Sequence, residues 1–370
     1  MPGGSSSAAA PRPDRAARAD PPGLIPPNRK SSGGLVAPQR PLRFGVLGCA
    51  DIAYRRTLPA MAAVPEVEVA AVASRDLGKA ARFASAFGCA SVSGYDALLA
   101  SPDIDAVYLP LPAMLHAEWI EKALRAGKHV LAEKPLTGDE ESAGRLLRYA
   151  ASQGLVLLEN VAFPHHAQHA RVEKLIADGA IGDVRDFTSV FTIPPLPEDN
   201  IRHQPDVGGG ALLDMGIYPI HAALHYLGSD IEVVHAVLRV SARTGAVVSG
   251  RILACSPAGV SADLLFGMEH SYRTSCEIVG ARGRVWLNRA FTPPPTLQPA
   301  VYVERQNHHE EITLGADDQF ANIVRYFATQ VRTGAGTGDR TAVSLRQAQL
   351  VGAVERKATR IEIPATGSVL

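Results

Sequence analysis

From Leu42 onward the apolar positions fall into two alternating spacings. Short, nearly uninterrupted apolar runs read as buried strands: LRFGVLG from Leu42, VEVAAVAS at 67–74, DAVYLPL at 105–111 and HVLAEKP at 129–135. Between them, 78–87, 116–126 and 139–153 carry apolar side chains at three- and four-residue spacings, as helices with one buried face do. Strands and helices alternating at this interval predict a parallel sheet covered on both faces, because each parallel return requires a crossover. LVLLENV at 155–161 adds one more strand at the end of that series.

Beyond Phe163 the order changes. A helix is expected over 171–177, a strand over 184–193, and a helix around 211–227 entered through a run of glycines. Strand-like segments then follow closely, near 231–242, 247–254, 260–267, 272–279, 283–288, 300–305 and 310–314, as in an antiparallel sheet. Helical patterns at 317–332 and 342–357 close the chain. Residues 1–41 are dominated by Pro, Ala, Gly, Ser and Arg and hold too few large apolar side chains to offset ordering entropy, so they read as a disordered tail.

Composition narrows the picture. The chain has 370 residues, enough for two cores. Its 37 basic and 37 acidic residues cancel, so no net field draws it to nucleic acid or to an anionic membrane. Cys49, Cys89, Cys255 and Cys276 are scattered without the spacing of a zinc site or a disulfide framework, which fits a reducing compartment. No apolar stretch approaches the roughly 18 to 20 residues of a spanning helix, and the first ten residues lack a signal-peptide pattern, so a cytoplasmic protein is expected.

The first strand runs into Gly48-Cys49-Ala50-Asp51-Ile52-Ala53, which fits the dinucleotide fingerprint G-x-G-x-x-G/A with Ala50 in place of the second glycine. Alanine is the smallest departure, and a pyrophosphate can still meet the amides of a helix N-terminus there. The next strand ends at Ala73-Ser74-Arg75, where a site for the unphosphorylated cofactor would usually carry an acid that binds the ribose hydroxyls. Arg75, Ser74 and Lys79 suit a 2′-phosphate instead, so NADP(H) is the expected cofactor. The fold class is therefore α/β: an N-terminal Rossmann domain over 42–160, then an α+β domain with a large, mostly antiparallel, open-faced sheet over 161–370.

Two strings, AGKHVLAEKPL at 126–136 and GGGALLDMGIYPIH at 208–221, resemble the Gfo/Idh/MocA oxidoreductase family, and the resemblance extends over about 42 to 358. Lys134 falls at the carboxyl end of a parallel strand, where open α/β sheets bind their ligands, and an ammonium there can polarise or protonate a carbonyl. The resemblance implies that 161–370 is the substrate-binding and oligomerisation domain, and that the bond between Lys134 and Pro135 is cis. Asp214 and Tyr218 stand four apart in a helical stretch and share a face. A neighbouring Lys134 ammonium is expected to lower the Tyr218 pKa. Lys134 is taken as the primary acid with Tyr218 as its partner, and Asp214 as the group that orients Lys134 or the nicotinamide ribose.

The resemblance further implies cofactor contacts from Leu109, Pro110, His116, Glu133 and Arg202, and substrate contacts from Phe163, His165, His166, Gln168 and His221. His116 and His221 are equally open to a packing role. The clustered histidines have no acidic or cysteine partners at ligand spacing, so no metal site is expected. The strings GVLGCADIA, ASRD, EKPLTG, ENVAFPHH and GGGALLDMGIYP are similar to members that reduce nucleotide-linked 3-ketosugars. That implies NADPH-dependent reduction of C3 in a dTDP-linked 3,4-diketo-2,6-dideoxyhexose. Oxidation of a free sugar, polyol or dihydrodiol with NADP, or a regulatory protein that binds the cofactor without turnover, are the alternatives. A homodimer or homotetramer packed through the second sheet is expected, because an open sheet face needs covering.

Overall fold

The computed structural model describes residues 40–336 and 338–364. The tail expected over 1–41 lies outside the described residues except for Arg40 and Pro41. The first layer alternates as the apolar spacing requires: β1 (Leu42–Leu47), α1 (Leu58–Ala62), β2 (Val67–Ser74), α2 (Leu77–Phe87), β3 (Ala90–Ser93), α3 (Tyr95–Leu99), β4 (Ala106–Leu109), α4 (His116–Arg125), β5 (His129–Ala132), α5 (Glu140–Ser152) and β6 (Leu157–Glu159). These strands form one six-stranded sheet in the order β3-β2-β1-β4-β5-β6, parallel throughout. The order reverses at β1, between β2 and β4, and opens a ligand crevice beyond the carboxyl ends of the strands. β1 and β4 are apolar on both faces because helices cover both: Phe44, Val46, Leu47 and Ala106 through Leu109 are all fully buried.

The second layer follows: α6 (Ala167–Ala177), β7 (Val184–Thr192), α7 (Pro205–Gly208), α8 (Ile217–Leu227), β8 (Glu232–Ser241), β9 (Val247–Cys255), β10 (Ser261–Gly267), β11 (Arg273–Gly280), β12 (Gly283–Leu287), β13 (Ala300–Arg305), β14 (His308–Thr313), α9 (Gln319–Thr333), α10 (Gly338–Lys357) and β15 (Ala358–Ile363). Its nine-stranded sheet has the order β14-β13-β12-β11-β7-β10-β9-β8-β15. Most neighbours are antiparallel, as expected, but β7 with β10 and β8 with β15 run parallel. The edge strand β15 escaped sequence reading because four of its six residues are exposed, which erases the alternation that marks a half-buried strand. β3 escaped for the same reason, with three of four residues exposed.

Helix α9 crosses the boundary expected at residue 160. Its apolar stripe, Ala321, Ile323, Val324, Phe327 and Ala328, is buried in the core of the parallel sheet, where the Phe327 ring lies 5.4 Å from that of Phe44. The chain thus returns to its first layer after completing its second, and α9 joins the two. No helix among the described residues is long and apolar enough to cross a membrane.

Candidate active site

A cleft of about 1350 Å³ opens at the carboxyl ends of β1, β2, β4, β5 and β6 and is closed on the far side by residues of the second layer. Gly48 forms its floor with φ +115°, and a Cβ there would stand 2.9 Å from Leu111 Cδ2. The bare backbone is therefore required by both torsion and space. Gly48, Cys49, Ala50, Asp51 and Ile52 all line the cleft, joined by Ser74, Arg75 and Lys79 from the end of β2 and the start of α2. Asp76 is the nearest acid, but its carboxylate caps α2 by accepting from the Lys79 backbone amide at 3.1 Å. Arg75 and Lys79 bring two cations to this end of the cleft.

The residues after the β5 strand fill the opposite end. The bond between Lys134 and Pro135 is cis, as expected. Lys134 Nζ donates to the Asp214 carbonyl at 2.9 Å and to Asp214 Oδ1 at 2.6 Å, while Arg202 Nε donates to Asp214 Oδ2 at 2.5 Å. Burial disfavours the Asp214 charge, yet Lys134 and Arg202 outweigh it and hold the carboxyl well below the usual carboxylate range. Burial likewise opposes the Lys134 charge, and Asp214 overcomes it and raises the lysine pKa. Both groups are ionised at neutral pH.

Asp214 sits in a π-helical turn, Leu212–Gly216, directly before α8, and Tyr218 follows in the first turn of α8. The glycine run entering this turn is demanded by close approach. A Cβ on Gly208 would stand 2.4 Å from the Ile201 carbonyl, so the loop carrying Arg202 folds flat against it. Lys134 Nζ lies 5.3 Å from the Tyr218 ring centroid. The expected lowering of the Tyr218 pKa is corrected here: burial pushes the phenol up to about 12, and the Lys134 charge only partly offsets that. Tyr218 stays protonated in the unliganded site.

Beneath Lys134 a buried polar network fixes the strand end. Glu133 Oε1 accepts from Tyr108 Oη at 2.7 Å and from Asn160 Nδ2 at 2.7 Å. Glu159 Oε1 accepts from the Leu136 amide at 2.9 Å and from Gln347 Nε2 at 2.7 Å. Such networks position the lysine stem rather than react.

Pro110, Glu133, Lys134, Phe163, Arg202, Asp214 and Tyr218 line the cleft as expected. Leu109, His116, His165, His166, Gln168 and His221 do not, and each has another task. Leu109 is fully buried in the sheet. His116 staples two loops, its ring nitrogens 2.6 Å from the Pro135 carbonyl and 2.8 Å from that of Leu111. His165 packs on Tyr326, with ring centroids 5.1 Å apart, and His166 Nδ1 caps α6 by accepting from the Gln168 amide at 3.1 Å. Gln168 Nε2 donates to the Arg289 and Ala290 carbonyls, and buried His221 Nδ1 donates to Gln347 Oε1 at 2.8 Å. Of Phe163, His165, His166 and Gln168 only Phe163 lines the cleft, because the chain turns there into α6 and carries the polar side chains away.

Several lining residues were missed: Arg55, Arg56, Asn160, Phe191, Tyr272, Phe291, Thr292 and Gln319. Asn160, next to Glu159 at a strand end, carried a readable positional signal. Phe191, Tyr272 and Phe291 carried none, since only the pairing of distant strands brings them together.

The chain matches the oxidoreductase family with an NAD-binding Rossmann fold over residues 42–161 and the GFO/IDH/MocA C-terminal domain over residues 169–286. The chain belongs to the Gfo/Idh/MocA oxidoreductase family. Among its relatives, the dTDP-3,4-didehydro-2,6-dideoxy-alpha-D-glucose 3-reductase of Actinomadura kijaniata is 54% identical over 88% of this chain and 98% of the relative. The enzyme of the same name from Streptomyces antibioticus is 55% identical over 85% of this chain and 96% of the relative. The crystal structure of KijD10, a 3-ketoreductase from Actinomadura kijaniata in complex with NADP and TDP-benzene, is 54% identical with a TM-score of 0.86, covering 88% of this chain and all of that one. The aldose-aldose oxidoreductase of Caulobacter crescentus shares the fold, at 23% identity and a TM-score of 0.79, over 86% of this chain and 97% of that one.

Proposed function

We propose that this protein is an NADPH-dependent 3-ketoreductase that reduces the C3 carbonyl of dTDP-3,4-didehydro-2,6-dideoxyglucose. The observation that carries the reading is the ion chain Arg202, Asp214, Lys134 beside Tyr218 at the carboxyl ends of the cofactor sheet, in a chain 54% identical to a reductase of that name.

NADP fits the residues present. The backbone at Gly48 has no room for a side chain, and Arg75 and Lys79 stand as cations for a 2′-phosphate at the end of β2. Gly48 through Ile52, Ser74, Arg75 and Lys79 hold it. When bound, the cofactor supplies hydride to the carbonyl carbon. Lys134, kept charged by Asp214, donates a proton to the carbonyl oxygen as negative charge develops there. Arg202 neutralises the second carboxylate oxygen, so Asp214 is fixed rather than free to take the lysine's proton. The aromatic wall of Phe163, Phe191 and Phe291 keeps water from the reacting end.

The test is to mix the purified protein with a 2,3-dehydratase, its dTDP-4-keto-6-deoxyhexose substrate and NADPH or NADH, following cofactor oxidation and product mass. NADPH consumption with appearance of the reduced 2,6-dideoxy sugar is expected. NADPH binding without turnover would remove the deoxysugar reading.

A homodimer or homotetramer in the cytoplasm belongs to the same proposal. Val234, Leu253 and Ile361 are 54%, 47% and 47% exposed on the adjacent strands β8, β9 and β15, on an open sheet face that a second copy would cover. Sedimentation giving only monomer removes it.

A further inference from the structure

Aromatic side chains crowd the reacting end of the cleft. Four aromatic rings form its wall: Phe191 lies 4.8 Å from Tyr218, Phe291 5.5 Å from Tyr218, and Phe163 5.0 Å from Phe291. Among its polar atoms, both oxygens of the Asp214 carboxylate are occupied by Lys134 and Arg202. Lys134 spends two of its three N–H donors on Asp214, leaving one. The Tyr218 hydroxyl lines the cleft without a hydrogen-bond partner among the described residues. Lys134 and Tyr218 thus each keep an uncommitted donor, on neighbouring side chains.

The sugar ring of the proposed substrate is complementary in an unusual way. C2 and C6 carry no oxygen, the C1 oxygen is esterified to phosphate, and C3 and C4 are carbonyls. Such a hexose has no O–H group and offers two adjacent acceptors. Two further cleft atoms, Asn160 Oδ1 and Gln319 Oε1, are buried acceptors without partners. This ring has no O–H group to give them.

We propose that Lys134 and Tyr218 read the vicinal dicarbonyl as a pair, with Lys134 on the C3 oxygen that is reduced and Tyr218 donating to the C4 oxygen that is not. The inference rests on the substrate reading above. Lys134 belongs to the cofactor sheet and Tyr218 to α8 of the second layer, which sets the order of the two carbonyls. Burial holds the phenol in its protonated, donating form, suited to a hydrogen bond that persists through the reaction. Held by its C4 oxygen, the ring turns C3 rather than C4 toward the hydride and Lys134, so the choice of carbon follows from position. The step balances: hydride adds to C3, the carbonyl π pair takes the Lys134 proton to form O–H, the lysine is reprotonated from water, and Tyr218 keeps its proton.

The test compares the NADP+ complexes of the full-length wild type and Tyr218→Phe in binding dTDP, dTDP-6-deoxyglucose and dTDP-4-keto-6-deoxyglucose by calorimetry. Only the last has a C4 carbonyl, and it carries no reducible C3 ketone. The wild type is expected to bind it about tenfold more tightly than its C4-hydroxyl counterpart, and Tyr218→Phe to lose about that tenfold while changing dTDP affinity by less than about twofold. On the dehydratase product, the variant's KM is expected to rise at least as far as its kcat falls. Equal loss for all three ligands, or a kcat collapse with C4-ketone affinity intact, overturns the proposal. The wild-type preference is a second reading that does not depend on how the variant folds. If the wild type consumes no NADPH on the dehydratase product, the substrate reading itself falls and takes the proposal with it. If it turns over but shows no C4-ketone preference, only the proposal falls.

Discussion

Lys134 Nζ and Asp214 Oδ1 meet at 2.6 Å across a separation of 80 residues, one side chain from the end of a parallel strand and the other from a π-helical turn of the second layer. The pair is enclosed, with side chains 14% and 19% exposed, so each charge depends on the other. It joins the six-stranded layer to the nine-stranded one across the cleft.

Removing the lysine tests the proton donor. Lys134→Ala is expected to lower kcat by roughly 10²- to 10⁴-fold, the usual range for a positioned acid. NADPH binding, followed by cofactor fluorescence, should persist, because the residues assigned to the phosphates lie at the other end of the cleft.

The pH profile tests the pair. Lys134 must be charged to donate, and its pKa is raised, so kcat/KM should stay level into the alkaline range. Asp214→Asn removes the main group that offsets burial, which lowers the lysine pKa relative to wild type. The alkaline limb should then move to lower pH. An unmoved limb would show that another group titrates.

Asp214 also links stability to acid. Its folded pKa lies below the unfolded value, so the unfolded chain binds more protons as pH falls. The stabilisation is present above about pH 4, the unfolded carboxylate value, and fades below it. The difference in urea midpoint between wild type and Asp214→Asn should narrow from pH 6 to pH 3 without closing, because the folded carboxyl titrates lower still.

Cofactor choice rests on the end of β2. Arg75→Ala is expected to raise KM for NADPH by about tenfold or more and to leave that for NADH within about threefold, since only the former presents a 2′-phosphate for a charge-assisted bond. Steady-state kinetics with both cofactors reads the ratio.

Helix α9 should be structurally indispensable. Phe327 is fully buried against Phe44, and Phe327→Ala is expected to cost about 3–5 kcal/mol, as large-to-small changes in a core do. Denaturant unfolding monitored by circular dichroism would measure it.

Local chemistry was enough to place much of this protein. Alternating apolar runs and helical stripes in 42–160 set the parallel sheet, because each strand must bury both faces and each return needs a helix. The fingerprint from Gly48 to Ile52, the cations after β2 and Lys134 at a strand end could be found for the same reason: their roles follow from position at the carboxyl ends of parallel strands. Tertiary structure alone decided the rest. The histidines of 165–169 and His221 belong to caps and staples because the chain turns at Phe163, and that direction is not written in residue types. Phe191, Tyr272 and Phe291 reach the cleft only through strand pairings between segments far apart in sequence. The Tyr218 pKa turns upward because burial, a property of the packed whole, outweighs one neighbouring charge. Sequence specifies which groups are available at an element's end, whereas long-range packing sets which of them share a solvent-shielded space and with what charge.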